Sequence, residues 1–277
     1  MSIDNGALKK KADWVRRETI RLHGQAPQTR LASSLSCVEI IVSLFYGGIL
    51  EHNPKEIYWE GRDRFIISKG HGSICMYPVL ADKGYFDKEE LKKICKSGTF
   101  LGSIPDPMVP GYETMNGSLG HGLGVAVGSS IGMKAKGSKN TMYVLSGDGE
   151  LNEGSVWEAV MFAAHNRTDN LILIIDNNKA CMLDFCKNII NIEPLESKFD
   201  AFGWEVKRID GHDIGALCGA IGALKNSKNG KPKVLIADTT KGKGIPSLES
   251  DPLSHIKEIS ADKVEVILKE WKNEQQA

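Results

Sequence analysis

Apolar residues recur at helical intervals near the start of the chain. Between Leu8 and Leu22 they stand three or four positions apart, which is typical of an amphipathic helix with one face turned inward. Ser36 and Glu39 have the spacing of a capping box ahead of the apolar run IIVSLFY, so a second helix is predicted to begin at Ser36. The segment from Ile259 to the C-terminus is predicted to form a closing helix with a polar, frayed end.

Further along, short apolar runs alternate with helix-like segments. The runs TMYVLS, LILIID, WEVKRID and KVLIADTT are interspersed with GSVWEAVMFAAHN and IGALCGAIGALK, which is a βαβ rhythm. A run without polar alternation, such as LILIID, suits a strand buried on both faces. We therefore expect an α/β fold with an open, doubly wound, mostly parallel sheet flanked by helices. No repeat or Pro/Ser linker divides the chain, so a single domain over residues 1–277 is predicted.

Composition narrows the possible partners and the cellular location. Lys plus Arg and Asp plus Glu both number 35, so no excess charge favours binding to nucleic acid or to anionic membranes, and neither is expected as a partner. Neither a signal-like apolar stretch nor a run of the roughly 20 apolar residues that span a bilayer is present, which favours a cytoplasmic protein. The six cysteines form no CxxC pair and are expected to be reduced and mostly buried.

Polar residues follow two of the predicted strands at the point where each ends. GDGE follows TMYVLS and NNK follows LILIID, so Asn178 stands thirty residues after Asp148. Ligands of doubly wound sheets bind at the carboxyl ends of strands. Mg²⁺ prefers oxygen ligands, which the Asp148 carboxylate, the Asn178 amide, a main-chain carbonyl and a diphosphate could supply. The glycines of GDG alone are equally explained by a tight strand-to-helix turn.

GDG followed by NN at the end of the next strand is the motif of thiamine diphosphate proteins, and the longer string GDGELNEGSVWEA resembles the transketolase family. The resemblance implies the thiamine diphosphate-binding fold, with thiamine diphosphate and Mg²⁺ as cofactors. It also implies that Asp148, Asn178 and the Ala180 carbonyl bind the metal. Gly147 and Gly149 would contact the cofactor, together with Asp148 and Asn178.

Three further strings extend the resemblance over most of the chain. In SKGHGS, His71 would contact the cofactor or the sugar substrate. In NGSLGHGLG, the backbone of Gly117, Ser118 and Leu119 would cradle part of the cofactor. After the KGKG loop, His255 would contact cofactor or substrate. Taken singly, the histidines could be structural hydrogen-bonding groups and the glycines could pack a helix against the sheet.

The resemblance also implies a partner protein. In this family the glutamate that contacts the aminopyrimidine ring belongs to a separate pyrimidine-binding domain, which is expected here on a C-terminal transketolase subunit in an α2β2 assembly. Glu153 would reach toward that glutamate and help it hold a proton, which counts it with His71 and His255 among the catalytic residues. A first-turn acid favoured by the helix dipole is a compatible explanation for Glu153.

Two positions depart from the family pattern near the substrate. TRLASSLS replaces GHPGGSLS, which puts Arg30 where a substrate-binding histidine would stand. Ser103-Ile104-Pro105 aligns with a second GHP turn and leaves Ile104 in place of its histidine. Arg30 could bind a carboxylate or phosphate through two parallel hydrogen bonds, so a modified ketose, a 2-oxo acid or a specialised acceptor stays open. Arg30, His71 and His255 are the predicted substrate residues.

The function predicted from the sequence is transfer of a two-carbon ketol unit from a ketose, or ketose phosphate, to an aldose. Two alternatives stay open: the α-like half of a 2-oxo-acid dehydrogenase or acyloin-forming synthase, and a non-catalytic homologue. The strings GDGELNEG and SKGHG argue against the first alternative. Intact Asp148 and Asn178 argue against the second.

Overall fold

A five-stranded parallel sheet forms the centre of the protein. The computed structural model describes residues 4–104 and 106–274. The strands are β1 Arg64–Ile67, β2 Met142–Gly147, β3 Leu171–Asn177, β4 Glu205–Asp210 and β5 Lys233–Asp238. Their order across the sheet is β1-β2-β3-β5-β4, and every neighbouring pair is parallel. The predicted fold class is thereby confirmed, whereas the single domain over 1–277 stays a prediction.

Helices precede, connect and follow these strands. They are α1 Asn5–Gln25, α2 Leu31–Leu35, α3 Val38–Tyr46, α4 Met76–Lys83, α5 His121–Ala135, α6 Gly154–His165, α7 Cys186–Ile189, α8 Leu195–Ala201, α9 Ile214–Asn226, α10 Pro246–Glu249 and α11 Ala261–Glu274. The predicted first and closing helices are confirmed as α1 and α11. The polar end predicted after Glu274 lies outside the described residues, as does Pro105.

Both faces of the sheet are apolar, and successive residues of each strand contribute to the two faces in turn. On one face, residues of α1, α3, α4 and α9 form one apolar cluster with Tyr143 and Leu145 of β2. On the other face, α5, α6 and α8 cover Met142 and Val144 of the same strand. Because side chains of a strand point to opposite sides in turn, a strand with helices on both faces needs an unbroken apolar run.

The register of the sheet brings the two polar strand ends together. Gly147 at the end of β2 is paired with Asp176 of β3, and Asn177 of β3 is paired with Asp238 of β5. Neighbouring strands lie about 4.8 Å apart. Asp148 and Asn178 therefore leave the sheet side by side at its carboxyl edge.

The capping box predicted at Ser36 and Glu39 is wrong. Helix α3 begins at Val38, and no side chain caps it. The Ser36 hydroxyl donates instead to the Asp176 carboxylate at 2.6 Å. Glu39 accepts a hydrogen bond from Arg16 at 2.6 Å, and its other oxygen lies 3.0 Å from His212 Nδ1. Buried partners distant in sequence thus replace the local pattern.

The structure bears on the expectations about cysteines and membrane spans. All six cysteines are free, and four of them are buried. Within residues 4–104 and 106–274, no helix has both the length and the apolarity needed to cross a bilayer.

Candidate functional site

The three predicted metal ligands line one cavity at the carboxyl edge of the sheet. Asp148 directly follows β2, and Asn178 and Ala180 follow β3. The cavity has a volume of about 480 Å³ and is also lined by Thr240 and Lys241, which follow β5. This volume is within the range of small-molecule sites.

Asp148 is buried and held by main-chain amides from two loops. Its Oδ1 accepts from the Gly149 N–H at 2.8 Å, and its Oδ2 accepts from the Lys179 N–H at 2.6 Å. Burial raises the pKa of Asp148 to about 6, and the negative charge of Asp176 adds to the effect. A cation beside this carboxylate would favour its ionised form.

The other two predicted ligands are also fixed in orientation. Asn178 Nδ2 donates to Asp176 at 3.2 Å, while Asn178 Oδ1 accepts from the Ala180 N–H at 3.2 Å. The Ala180 carbonyl accepts from the Lys241 ammonium at 2.8 Å. The carbonyl assigned to the metal thus already faces a positive charge supplied by the chain itself.

The residues present fit a Mg²⁺ ion bound through a diphosphate. Asp148, Asn178 and Ala180 offer three oxygen atoms of the kinds that Mg²⁺ binds. No group of three or more His, Cys, Asp or Glu suited to a metal occurs among the described residues, so an ion here would need further oxygen ligands such as phosphate. The Ser254 hydroxyl is buried without a hydrogen-bond partner within the described chain, and Ser254 lines the same cavity. A ligand oxygen would satisfy it.

A buried ion pair supports the floor of the site. Lys69 and Asp176 are fully buried and in contact, and Thr239 also donates to the Asp176 carboxylate. Burial alone raises the pKa of Asp176, but the charge and hydrogen bond of Lys69 outweigh it and the net pKa is lowered. Removing one partner of such a pair typically costs about 3–5 kcal/mol.

The two predicted substrate histidines lie against each other. The ring centroids of His71 and His255 are 4.8 Å apart. His255 Nδ1 lies 3.1 Å from Lys241 Nζ and 3.4 Å from Ser33 Oγ. Through Lys241, which also binds the Ala180 carbonyl, the histidine pair is linked to the predicted metal ligands.

Both histidines are held neutral. Burial, followed by the charges of Lys241 and Arg30, lowers the pKa of His255 to about 3. Burial and the charge of Lys69 bring the pKa of His71 well below its ordinary value, and Arg30 contributes to this shift too. Arg30 is half-buried and acts electrostatically on both rings. Neutral imidazoles can both donate to and accept from hydroxyl groups.

The glycine-rich loops pack tightly on one another. A Cβ added to Gly70 would lie 2.1 Å from the Asn116 carbonyl oxygen, so the SKGHG loop sits directly on the NGSLG loop. Gly120 has a φ of +86°, and a Cβ there would lie 2.6 Å from Cβ of Glu153. Only glycine accommodates both the conformation and the approach at Gly120.

The predicted cradle and the predicted catalytic glutamate are exposed at this edge. Gly117, Ser118 and Glu153 are exposed, and Leu119 is half-buried. A Cβ on Gly117 would lie 3.8 Å from the side chain of Ile104, so Ile104 flanks the cradle. Several predicted site residues lie outside the lining of the 480 Å³ cavity. They are Arg30, His71, Gly117, Ser118, Leu119, Gly147, Gly149, Glu153 and His255.

Several residues of the site were not predicted. Lys241 binds the Ala180 carbonyl and His255, and its place in the KGKG string could have identified it as a site residue. Asp176 is a second such residue, and its position directly before Asn177-Asn178 could have identified it. Burial and the charge of Lys69 lower the pKa of Lys241 to about 8.

Comparison with known proteins connects this geometry to a family. The family model described as "Transketolase, thiamine diphosphate binding domain" matches residues 25–277. The chain belongs to the transketolase family. The match covers the segments that carry Asp148, Asn178 and both histidines.

Relatives in the transketolase family include separate subunits. The chain is 43% identical over 269 residues to an apulose-4-phosphate transketolase subunit of Actinobacillus succinogenes, covering 96% of each chain. It is 37% identical over 249 residues to a 6-deoxy-6-sulfo-D-fructose transketolase subunit of a Clostridium species, covering 90% of each. Among solved structures, transketolase from Campylobacter jejuni superposes with a TM-score of 0.84 at 29% identity. The chain is covered completely in that superposition but spans only 49% of the Campylobacter protein.

Proposed function

We propose that this chain is the diphosphate-binding subunit of a thiamine diphosphate- and Mg²⁺-dependent transketolase. It would transfer a two-carbon ketol unit from a ketose, or ketose phosphate, donor to an aldose acceptor. The observation that carries the proposal is the convergence of Asp148, Asn178 and Ala180 on one cavity. This convergence occurs in a chain that matches the thiamine diphosphate-binding domain over residues 25–277.

In this proposal the strand-end loops hold the cofactor. Asp148, Asn178 and the Ala180 carbonyl would bind Mg²⁺, while Gly147 and Gly149 would contact the cofactor. The backbone of Gly117, Ser118 and Leu119 would cradle another part of the cofactor. When bound, thiamine diphosphate supplies the carbanion that adds to a ketone and the electron sink for carbon–carbon cleavage.

The neutral histidines would act on the sugar. His71 and His255 lie with ring centroids 4.8 Å apart and can orient hydroxyl groups or move a proton without carrying a fixed charge. Lys241 keeps a donor on His255 Nδ1 at 3.1 Å, which orients that ring. Glu153, exposed at the start of α6, would reach the partner's glutamate.

Arg30 and Ile104 would set the substrate apart from ordinary pentose phosphates. Arg30 is positively charged beside both histidines and can bind an anionic group, whereas Ile104 offers no hydrogen bond. The two relatives named above act, by their names, on apulose 4-phosphate and 6-deoxy-6-sulfo-D-fructose. A modified ketose with an anionic substituent is the substrate class that we propose.

A second subunit would complete the active site. The relatives named as subunits and the 49% coverage of the Campylobacter jejuni transketolase support a separate C-terminal subunit that carries the pyrimidine-binding domain. We propose an α2β2 assembly in the cytoplasm. The family match over residues 25–277 favours ketol transfer over the 2-oxo-acid alternative, and the relatives named as transketolase subunits favour an enzyme over a non-catalytic homologue.

Co-purification tests this proposal. The chain is expressed with a C-terminal transketolase subunit, sought first in the neighbouring reading frame, and ketol transfer is measured with thiamine diphosphate, Mg²⁺ and a panel of ketose donors. We expect the pair to turn over at least one donor and the chain alone to turn over none. Absence of turnover by the pair across the whole panel, or full activity of the chain alone, would contradict the proposal.

A further inference from the structure

Glu150 has a buried carboxylate, and no role has been assigned to this residue so far. It follows the GDG turn, and the residue is only 2% exposed. Burying a charge is costly unless hydrogen bonds satisfy it. The hydrogen-bond partners of Glu150 therefore indicate why a carboxylate is buried at this position.

Four neutral donors converge on this one carboxylate. Oε1 accepts from the Ser68 hydroxyl and from the Gly120 N–H at 2.8 Å. Oε2 accepts from the Ser146 hydroxyl at 2.8 Å and from the Gly147 N–H at 3.4 Å. An ionised carboxylate has about four acceptor sites and no donor, so it can satisfy all four groups at once.

The four donors lie where three different loops begin or end. Ser68 begins the loop that carries His71, Gly120 directly follows the Gly117–Leu119 cradle, and Ser146 and Gly147 end β2 just before Asp148. These loops are contributed by three separate regions of the chain, so no local pattern fixes their spacing. Other contacts tighten the same junction: the Ser155 hydroxyl donates to the Gly120 carbonyl at 3.1 Å.

We propose that Glu150 is a positioning residue that sets the relative placement of the three loops which hold thiamine diphosphate. The proposal rests on the proposed function, because those loops are the ones assigned to the cofactor. Glu150 acts through its neighbours, because four donors of the chain itself occupy its carboxylate. Outer-shell partners of metal ligands typically change metal affinity or activity about 10–100-fold when they are removed, and we take this as the scale of the effect expected for Glu150.

The two oxygens of Glu150 predict a graded response to substitution. In Glu150→Gln, the amide oxygen can still serve Ser68 and Gly120, but the amide NH₂ meets the Gly147 N–H with a second donor. In Glu150→Ala, all four donors lose their acceptor. Cofactor affinity should therefore fall in the order wild type, Glu150→Gln, Glu150→Ala.

Calorimetry on the assembled pair of subunits tests the proposal, with thiamine diphosphate titrated at fixed Mg²⁺. We expect Kd to rise about tenfold or more in Glu150→Ala and about threefold or more in Glu150→Gln. At saturating cofactor, kcat should change less than Kd, because saturation restores occupancy of the site.

A variant destabilised elsewhere separates positioning from general loss of stability. Leu224→Ala removes a fully buried side chain of α9, away from the three loops, and should lower the melting temperature while leaving Kd unchanged. Wild-type Kd in Glu150→Gln, or an equal rise of Kd in Leu224→Ala, would overturn the proposal. If Glu150→Ala does not fold, Glu150→Gln decides. Failure of the wild-type pair to bind thiamine diphosphate would instead reject the proposed function.

Discussion

Two hydrogen bonds determine which ring nitrogen of His23 carries the proton. Its Nε2 lies 3.2 Å from the Ile259 main-chain N–H, which can only donate, so Nε2 accepts and carries no proton. Its Nδ1 therefore carries the proton and donates to Thr29 Oγ1 at 2.9 Å, while the Thr29 hydroxyl donates to the Ala26 carbonyl. Burial lowers the pKa of His23 to about 4 from 6.5. Protonation would break the bond that ties α1 to the segment before α11.

This histidine should make the folded state sensitive to mild acid. The unfolded chain takes up the proton near pH 6.5 and the folded chain only near pH 4, so the stability due to neutral His23 is complete above pH 6.5. As pH falls from 6.5 to 4, up to roughly 3 kcal/mol should be lost. Urea unfolding at a series of pH values measures the slope.

A substitution at the same position provides the comparison. His23→Gln cannot titrate, so its stability, although lower, should vary less between pH 6.5 and 4. His165→Gln, at an exposed position, should keep the wild-type slope. Identical slopes in His23→Gln and the wild type would show that His23 is not the titrating group.

At the scale of elements, the SKGHG and NGSLG loops can touch because Gly70 has no side chain. Gly70→Ala would bring a Cβ within 2.1 Å of the Asn116 carbonyl oxygen, so the SKGHG and NGSLG loops would have to separate. Forced shifts of this kind typically cost about 1–3 kcal/mol. We expect a lower melting temperature and weaker binding of thiamine diphosphate in the assembled pair.

A second glycine in a helix serves as the control. A Cβ on Gly219 of α9 would meet no atom within 4 Å. Gly219→Ala should therefore stabilise the helix by about 0.5–1 kcal/mol and leave cofactor binding unchanged. Wild-type stability and affinity in Gly70→Ala would contradict the described contact.

The sequence predicted the elements whose pattern is local. Unbroken apolar runs identified β2 and β3, and the rule that parallel strands end at one edge placed Asp148 beside Asn178. The capping box at Ser36 failed because its hydroxyl is bonded to Asp176, 140 positions away. Glu150 could not be predicted either, since its donors come from loops whose meeting depends on tertiary packing.

At the scale of the whole molecule, the sheet gathers distant segments into one edge. Ser33, Lys69, Asp176, Lys241 and His255 come from across the sequence, yet hydrogen bonds connect them into one polar network beneath the candidate site. Lys241 Nζ joins the main-chain carbonyl of Ala180 to the imidazole of His255. A ligand that binds only the folded protein stabilises it, and does so more the tighter it binds, so cofactor binding should raise the melting temperature.

We propose above all that Asp148 and Asn178 share one Mg²⁺ ion that carries thiamine diphosphate. Isothermal titration of the cofactor into the assembled pair, with Mg²⁺ present, tests it most directly when the wild type is compared with Asp148→Ala. We predict that the substitution abolishes measurable binding while Gly219→Ala binds as the wild type does. Unchanged affinity in Asp148→Ala would contradict the account.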